Sequence, residues 1–488
     1  MGGHREKIFD VAFSPDSKYV ATSSQDSTVC IWDATHHRLV ATLSEGNDVK
    51  FECLRVAWLG GGMSSTLPTN RERVIEEEEE GNEVAAYKYE GAVRDERYLL
   101  AMASADGIVR LWSATSKIVD LGVVNGSNSA NDNNNNNDNG GEEKLSWKCV
   151  SKLDHYLWEK TNDTDPGNNI KNADSSTTDD DDDVNKDEDD EDRPQIYGLQ
   201  FVHSSTVALS NMNILLVSTN DCIYIWNIVI DDTNYGEEGG DDEMNRRHHR
   251  KFLPILSIRF SHLDEDGQFE SNQFGGPRNP DNMLFIFDMQ YSVTNDLLGT
   301  ALSDGTCRIT SLHHNHTNGD VKNNNSPYYH QERCILGLPK GYFGETGGHL
   351  TALAWDKTGT RVATCIGSGR VVLWLLQAVN NNGIEELHPA CLSILEGGHG
   401  VGRPLYGAKY CGGSDEDLLL TWGVDGEVCV WDSYSIGTVT SPLCKLISHL
   451  KNYPIYALDI NDGETHIAVA GGGDDGGFFG IPIYIYDL

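Results

Sequence analysis

One short pattern that returns along the chain constrains its fold more than any other feature. It first appears between Ser23 and Asp33 as SSQDSTVCIWD, a polar turn, then an apolar run, then Trp-Asp. The same shape returns as Ser104-Ala-Asp-Gly-Ile-Val-Arg-Leu-Trp112, as Ser218-Thr-Asn-Asp-Cys-Ile-Tyr-Ile-Trp226 and as Gly423-Val-Asp-Gly-Glu-Val-Cys-Val-Trp431. The copy at Ser303–Thr310 keeps Asp-Gly and lacks the Trp. The copy at Gly367–Trp374 keeps the Trp and lacks the Asp, and the last copy has Tyr486 in the Trp place. Self-similarity at periods of a few tens of residues is the signature of repeat architectures.

Each copy follows an apolar run, the first being Phe9-Asp-Val-Ala-Phe13, with counterparts ending at Trp58, Phe201, Tyr291, Trp355, Tyr410 and Ile460. Short β-rich runs joined by Asp-Gly or Asn/Gly/Ser turns read as antiparallel hairpins. Between most units lies one more run, such as Trp147–Leu153 or Cys391–Leu395. The expectation is therefore an all-β chain of seven units with four strands each.

In this respect the chain resembles the WD-repeat β-propeller family, whose four-stranded blades carry a G-H…W-D signature. The first unit has Gly3-His4, Ser24, Asp26 and Trp32-Asp33. The resemblance implies a single seven-bladed propeller over residues 1–488, with four antiparallel strands per blade. It also implies a buried network of His4, Ser24, Asp26 and Trp32, because a tight turn can bury its Asp only if donors satisfy it. Asp106, Trp112, Trp226, Trp374, His399, Asp425 and Trp431 are the counterparts in other units, and His349 sits three residues off register. A catalytic Ser-His-Asp set is the competing reading of unit one, and its repeat position favours the structural one.

Seven blades of ~40–45 residues leave much of the chain over. The Trp-equivalent positions 32, 112, 226, 310, 374, 431 and 486 are unevenly spaced, so the excess lies in insertions. With the strands lettered a to d from the inside out, the a–b and c–d loops share one face. There belong residues 60–94, 113–145, 231–249, 313–330 and 377–388. The b–c turns and the d–a crossovers share the other face, with the acidic segment 159–193 and the segment 261–282. Runs this polar cannot bury enough surface to order themselves. Arg246–Lys251 and the histidines 313, 314 and 316 read as solvated loops, and Gly471–Gly477, which joins two strands, reads as a flexible b–c turn.

The formal charge is −38, with 75 acidic and 37 basic residues. That argues against nucleic-acid binding by net charge. The 11 cysteines are scattered, with no C-x-x-C spacing, so neither a disulfide framework nor a zinc site is expected. No signal-like N-terminus and no membrane-spanning run is present, and no motif calls for a cofactor or a metal. The expected setting is the cytoplasm or nucleus.

The expected function is a non-enzymatic protein-interaction scaffold, monomeric as a propeller within a complex. The alternative is a substrate receptor of a cullin–RING ubiquitin ligase; many such receptors carry an Arg two residues after Trp-Asp, where this chain has Thr35 and Tyr434. By analogy with the family, partners meet the face of the b–c turns. The expected ring there comprises Arg5, Lys7, Lys50, Arg193, Met283, Phe285, His349, Pro404 and Pro454. Ser176, Thr177 and Thr178, each with an acid three residues on, are candidate sites for an acidophilic kinase.

Overall fold

In the computed structural model each copy of the recurring pattern joins the second and third strands of a separate antiparallel sheet. The structure describes residues 3–44, 51–59, 63–64, 96–116, 145–155, 194–203, 213–228, 254–260, 284–314, 328–337, 348–381, 384–412, 418–447, 453–472 and 483–487. Blade one is β1 (Ile8–Phe13), β2 (Tyr19–Ser24), β3 (Val29–Asp33) and β4 (Arg38–Leu43). Blade two is β5 (Cys53–Trp58), β7 (Glu96–Ser104), β8 (Ile108–Ser116) and β9 (Ser146–Asp154), with the short β6 (Met63–Ser64) on β7. Blade three is β10 (Ile196–His203), β11 (Asn213–Thr219), β12 (Cys222–Asn227) and β13 (Pro254–Arg259). Blade four is β14 (Ile286–Ser292), β15 (Leu297–Leu302), β16 (Thr306–His314) and β17 (Tyr328–Gly337). Blade five is β18 (Leu350–Trp355), β19 (Arg361–Ile366), β20 (Val371–Asn381) and β21 (Ile384–Leu395). Blade six is β22 (Leu405–Cys411), β23 (Leu418–Gly423), β24 (Glu427–Asp432) and β26 (Cys444–Ile447). Blade seven is β27 (Ile455–Ile460), β28 (His466–Gly471) and β29 (Tyr484–Asp487).

The fold is thus the expected all-β propeller of seven blades, and the inner strands touch in succession around a closed ring, β27 against β1. Blade seven has three strands among the described residues. A departure from purely antiparallel blades comes from β25 (Gly437–Val439), in the c–d connection of blade six. It leaves its own blade and runs parallel to β21, with Ser393 Oγ donating to Gly437 O at 2.6 Å. The segment 377–388, expected as a loop, is mostly hairpin, because β20 and β21 stay paired out to Asn381 and Ile384. Similarly β16 runs to His314 and β17 begins at Tyr328, inside the expected loop 313–330. Side chains that alternate across a pair sustain it beyond the core.

Seven apolar clusters lie one at each blade–blade interface, from Tyr19, Ile31, Val56 and Leu100 between blades one and two to Val11, Phe13, Ala457 and Ala468 between seven and one. Each blade presents one face to each neighbour, so its strands are apolar on both sides. This is why the middle strands read as near-continuous apolar runs.

Polar clasps on the inner strands reinforce these interfaces. The Val56 N–H donates to Asp10 at 3.0 Å, and in the same register Leu353 N–H donates to Asp288 at 2.9 Å. Phe13 N–H donates to Asp459 at 2.7 Å, and Tyr291 N–H to the Gln200 side chain at 2.9 Å. Arg55 Nε donates to Tyr197 O at 2.7 Å, and Lys409 pairs with Asp459. A buried donor left unpaired costs ~1–3 kcal/mol, so each clasp satisfies a group that blade packing would otherwise strand. Burial pushes Asp10 up to about 6 and Asp288 up to about 7, against the pull of Arg55 and the backbone N–H groups.

Candidate functional site

The turn aspartates fix the b–c turns that form one face of the ring. In blade one His4 Nδ1 lies 3.1 Å from Asp26, and its Nε2 lies 2.8 Å from Thr22 Oγ1. The Trp32 indole N–H donates to the same hydroxyl at 2.9 Å. The relay hydroxyl is therefore Thr22 and not Ser24, which instead donates to Glu6 O and accepts from the Asp26 N–H. Ser24 lies next to the turn, level with the chain entering strand a, so it cannot also reach the indole. Blade six repeats the arrangement with His399, Asp425, Thr421 and Trp431 at 3.0, 2.8 and 2.9 Å. Gly398 precedes its histidine because a Cβ there would overlap the Trp431 ring.

The electrostatics follow from burial against pairing. Burial opposes a charged His4 ring, but the Asp26 carboxylate outweighs it and raises His4 to about 9. Burial likewise opposes the Asp26 charge, and the bonds from His4 and Thr28 overcome it and hold that carboxyl well below its usual range. Asp425 is lowered in the same way, its burial outweighed by His399.

Blades two, three and four reach the same end with arginine. Arg110 Nη2 lies 2.6 Å from Asp106, both groups being nearly fully buried, and Arg110 also bonds Ser104. Arg308 lies 3.5 Å from Asp304 and 3.4 Å from Glu332. Both arginines stand on the third strand, at the place Cys30 takes in blade one. In blade three Arg259 approaches Asp221 at 3.8 Å from the fourth strand. The sequence reading missed Arg110 and Arg308. Both stand at the spacing Asp-Gly-x-x-Arg, and a cation two residues before the Trp position was the available signal.

A threonine two residues before the last of strand b decides whether the tryptophan is satisfied. Trp374 donates to Thr364 at 3.0 Å, as Trp32 and Trp431 do to their threonines. Met102 and Val217 stand in that place in blades two and three. There the Trp112 and Trp226 N–H groups make no hydrogen bond. His155, fully buried, stacks on Tyr224 at 4.7 Å and Trp226 at 5.3 Å with neither nitrogen bonded. Burial alone pushes its pKa down to about 3, so the ring is neutral.

The expected interaction ring can be located from the backbone. In six of the seven blades the first residue of the turn donates its N–H to the carbonyl of the residue entering strand a. The pairs are Gln25 to Lys7, Ala105 to Glu52, Ser303 to Phe285, Gly367 to His349, Val424 to Pro404 and Gly472 to Pro454, at 2.8–3.2 Å. Lys7, Phe285, His349, Pro404 and Pro454 therefore occupy one equivalent position around the ring. Phe285 is 50% exposed, Arg5 is exposed, and His349, which takes no part in a turn network, stacks on Phe287 at 5.2 Å. Lys50, Arg193, Met283, Ser176, Thr177 and Thr178 lie outside the described residues.

Two residues further in, every inner strand carries a bulge. Five of the seven bulged residues are aromatic: Phe9, Tyr197, Phe287, Tyr406 and Tyr456. Tyr456 stacks on Tyr406 at 5.3 Å and meets Phe9 edge-on at 5.8 Å, across three adjacent blades. A bulge re-aims the side chain it carries. These aromatics were not singled out from sequence, although their constant offset from the entry position was readable.

The two Trp-Asp aspartates cap their own turns. Asp33 accepts from the Thr35 and His36 N–H groups at 2.9 and 2.8 Å, and Asp432 from Tyr434 N–H at 2.9 Å. No group of His, Cys, Asp or Glu among the described residues is arranged to hold a metal, and no described helix is long and apolar enough to cross a membrane.

Comparison with known proteins agrees with this geometry. The model of the WD domain, G-beta repeat matches residues 1–33 and 340–374, which end on Asp33 and Trp374. The chain is also similar to probable cytosolic iron-sulfur protein assembly protein 1 of Chaetomium globosum, 35% identical over 123 residues. That match covers 23% of this chain and 22% of the relative, so the chain spans about a fifth of the relative's length. The comparisons give no support to the ubiquitin-ligase reading. Seven blades, the G-H…W-D copy at residues 3–33, the repeated turn clasp and the two matched repeats together support the WD-repeat β-propeller family for this chain.

Proposed function

We propose that this protein is a non-enzymatic interaction scaffold that holds partners on the face formed by its b–c turns. The observation that carries the reading is the ring of strand-entry residues, in which Arg5 and the half-exposed Phe285 stand among Lys7, His349, Pro404 and Pro454. Exposed aromatic and arginine side chains are the usual anchors of protein interfaces. Lys50, Arg193 and Met283 complete this ring in the proposal.

The similarity to a protein named for cytosolic iron–sulfur protein assembly supports a setting of that kind: an adaptor within a cytosolic assembly complex. The acidic crossover 159–193 is a solvating spacer in this reading, with Ser176, Thr177 and Thr178 as its modification sites. The test is affinity purification of the tagged full chain, followed by mass spectrometry, beside an Arg5→Glu/Phe285→Asp variant. Partners that are specific to the wild type support the face. Identical partner sets from both proteins would overturn it.

A further inference from the structure

The face on which the proposed function rests is not uniform in chemistry. Its sector over blades six, seven and one holds the contiguous aromatic series Tyr406, Tyr456 and Phe9. Tyr406 is 40% exposed, and its two neighbours are half-buried. Among the described residues, the segments that enter these three strands bring Arg403, Arg5 and Lys7, with Glu6 as the one carboxylate of Arg5–Lys7 and Arg403–Pro404. Asp26 and Asp425, the turn carboxylates of blades one and six, are already engaged by His4 and His399 and by the Arg5 and Gly400 N–H groups. Among these described entry residues cations outnumber acids, in a chain with 75 acids and 37 bases.

Lys7 also belongs to the aromatic cluster electrostatically. Burial and Tyr456 push the Tyr406 phenol up, and the nearby Lys7 ammonium pulls it down. The sector is thus an aromatic floor with a cationic rim in an otherwise anionic molecule. Long-range repulsion from a net charge of −38 works against any acidic partner except where cations are local, within a Debye length of ~8 Å at physiological salt. An acidic segment can settle only where such a rim compensates.

We infer that this sector binds an extended acidic peptide that carries an aromatic or large aliphatic anchor, the anchor lying on Phe9, Tyr406 and Tyr456 and the acids facing Arg5, Lys7 and Arg403. The inference rests on the turn face being the binding face, and it adds the chemistry of the partner. Apolar stacking supplies affinity, and the cations supply selection against basic or neutral segments.

The experiment is selection of a random peptide library displayed on phage against the full-length protein. The enriched peptides are then measured by fluorescence polarisation against wild type, Tyr456→Ala and Arg5→Glu/Arg403→Glu, with circular dichroism as the folding control. An acidic consensus around one bulky apolar residue is expected. Its affinity should fall about tenfold in Tyr456→Ala, severalfold in the charge-reversal variant, and with rising salt. A basic or charge-free consensus that still depends on Tyr456 overturns the inferred partner chemistry and leaves the face intact. Peptides indifferent to all these substitutions, or no enriched peptide, overturn both the inference and the face.

Discussion

The indole N–H of Trp32 donates to the Thr22 hydroxyl at 2.9 Å, from the neighbouring strand of the same blade. Because His4 Nε2 reaches that same oxygen at 2.8 Å, one hydroxyl couples the tryptophan to the turn aspartate. Blade three has Val217 in this place, and there both Trp226 and His155 lack partners.

Exchanging the two residues should therefore have opposite effects. Thr22→Val leaves two buried groups unsatisfied and should cost about 1–3 kcal/mol. Val217→Thr supplies an oxygen beside Trp226 and should stabilise by about 1 kcal/mol. Denaturant unfolding of the two variants measures both. A Val217→Thr protein that is less stable, and equally so in a Trp226→Phe background, would show that the new hydroxyl finds no donor.

Arg110 and Asp106 form a nearly fully buried pair at 2.6 Å. Removing one member leaves the other charged and dry, so Arg110→Ala should destabilise by about 3–5 kcal/mol. Arg110→Lys should recover little, because a lysine cannot reproduce the two-pronged contact with Asp106 and Ser104. Thermal melting compares the three proteins, and full recovery by lysine would mean that charge alone suffices.

The His4–Asp26 pair sets a pH dependence. His4 is raised from 6.5 to about 9, so its stabilisation is complete below 6.5 and is lost as pH climbs through 9. Asp26 is depressed, so its share is present above 3.8 and is lost on acidification. Relative to His4→Gln, the wild type should lose on the order of 1–3 kcal/mol between pH 6.5 and 9.5. Parallel stability profiles for the two proteins would contradict this.

Asp288 works in the opposite sense. Burial raises its carboxyl to about 7 in the folded chain, so the folded state holds the proton more tightly than the unfolded one. Its contribution is complete below 3.8 and is lost as pH rises through 7. Asp288→Asn removes the titration, so its stability relative to wild type should improve from pH 5 to about pH 7 and level off above it. Urea midpoints at several pH values report the difference, and a constant difference would place the proton elsewhere.

Residues 120–142 are dominated by Asn, Asp, Gly and Ser, a composition that cannot bury enough apolar surface to stabilise a fold. Their deletion should leave the melting temperature unchanged. Loss of soluble protein on deletion would give them a packing role.

By itself the sequence determined the number of blades and the identity of their strands. Both depend on local chemistry: an Asp-Gly turn at Asp106, Asp304 and Asp425, and apolar runs on either side. The entry positions Lys7, Phe285, His349, Pro404 and Pro454 were legible too, because a fixed offset from a repeated strand fixes a fixed place in the ring. Tertiary structure decided what strand pairing alone can bring together. Thr22, and not Ser24, meets Trp32, since the register of β2 against β3 sets which hydroxyl lies level with the indole. Arg110 replaces the histidine of blade one from a different strand, since a long side chain can reach a buried carboxylate from several directions. The strand β25 left blade six for blade five because an open sheet edge accepts whichever extended segment lies alongside it, and one sequence cannot state the distance between two loops.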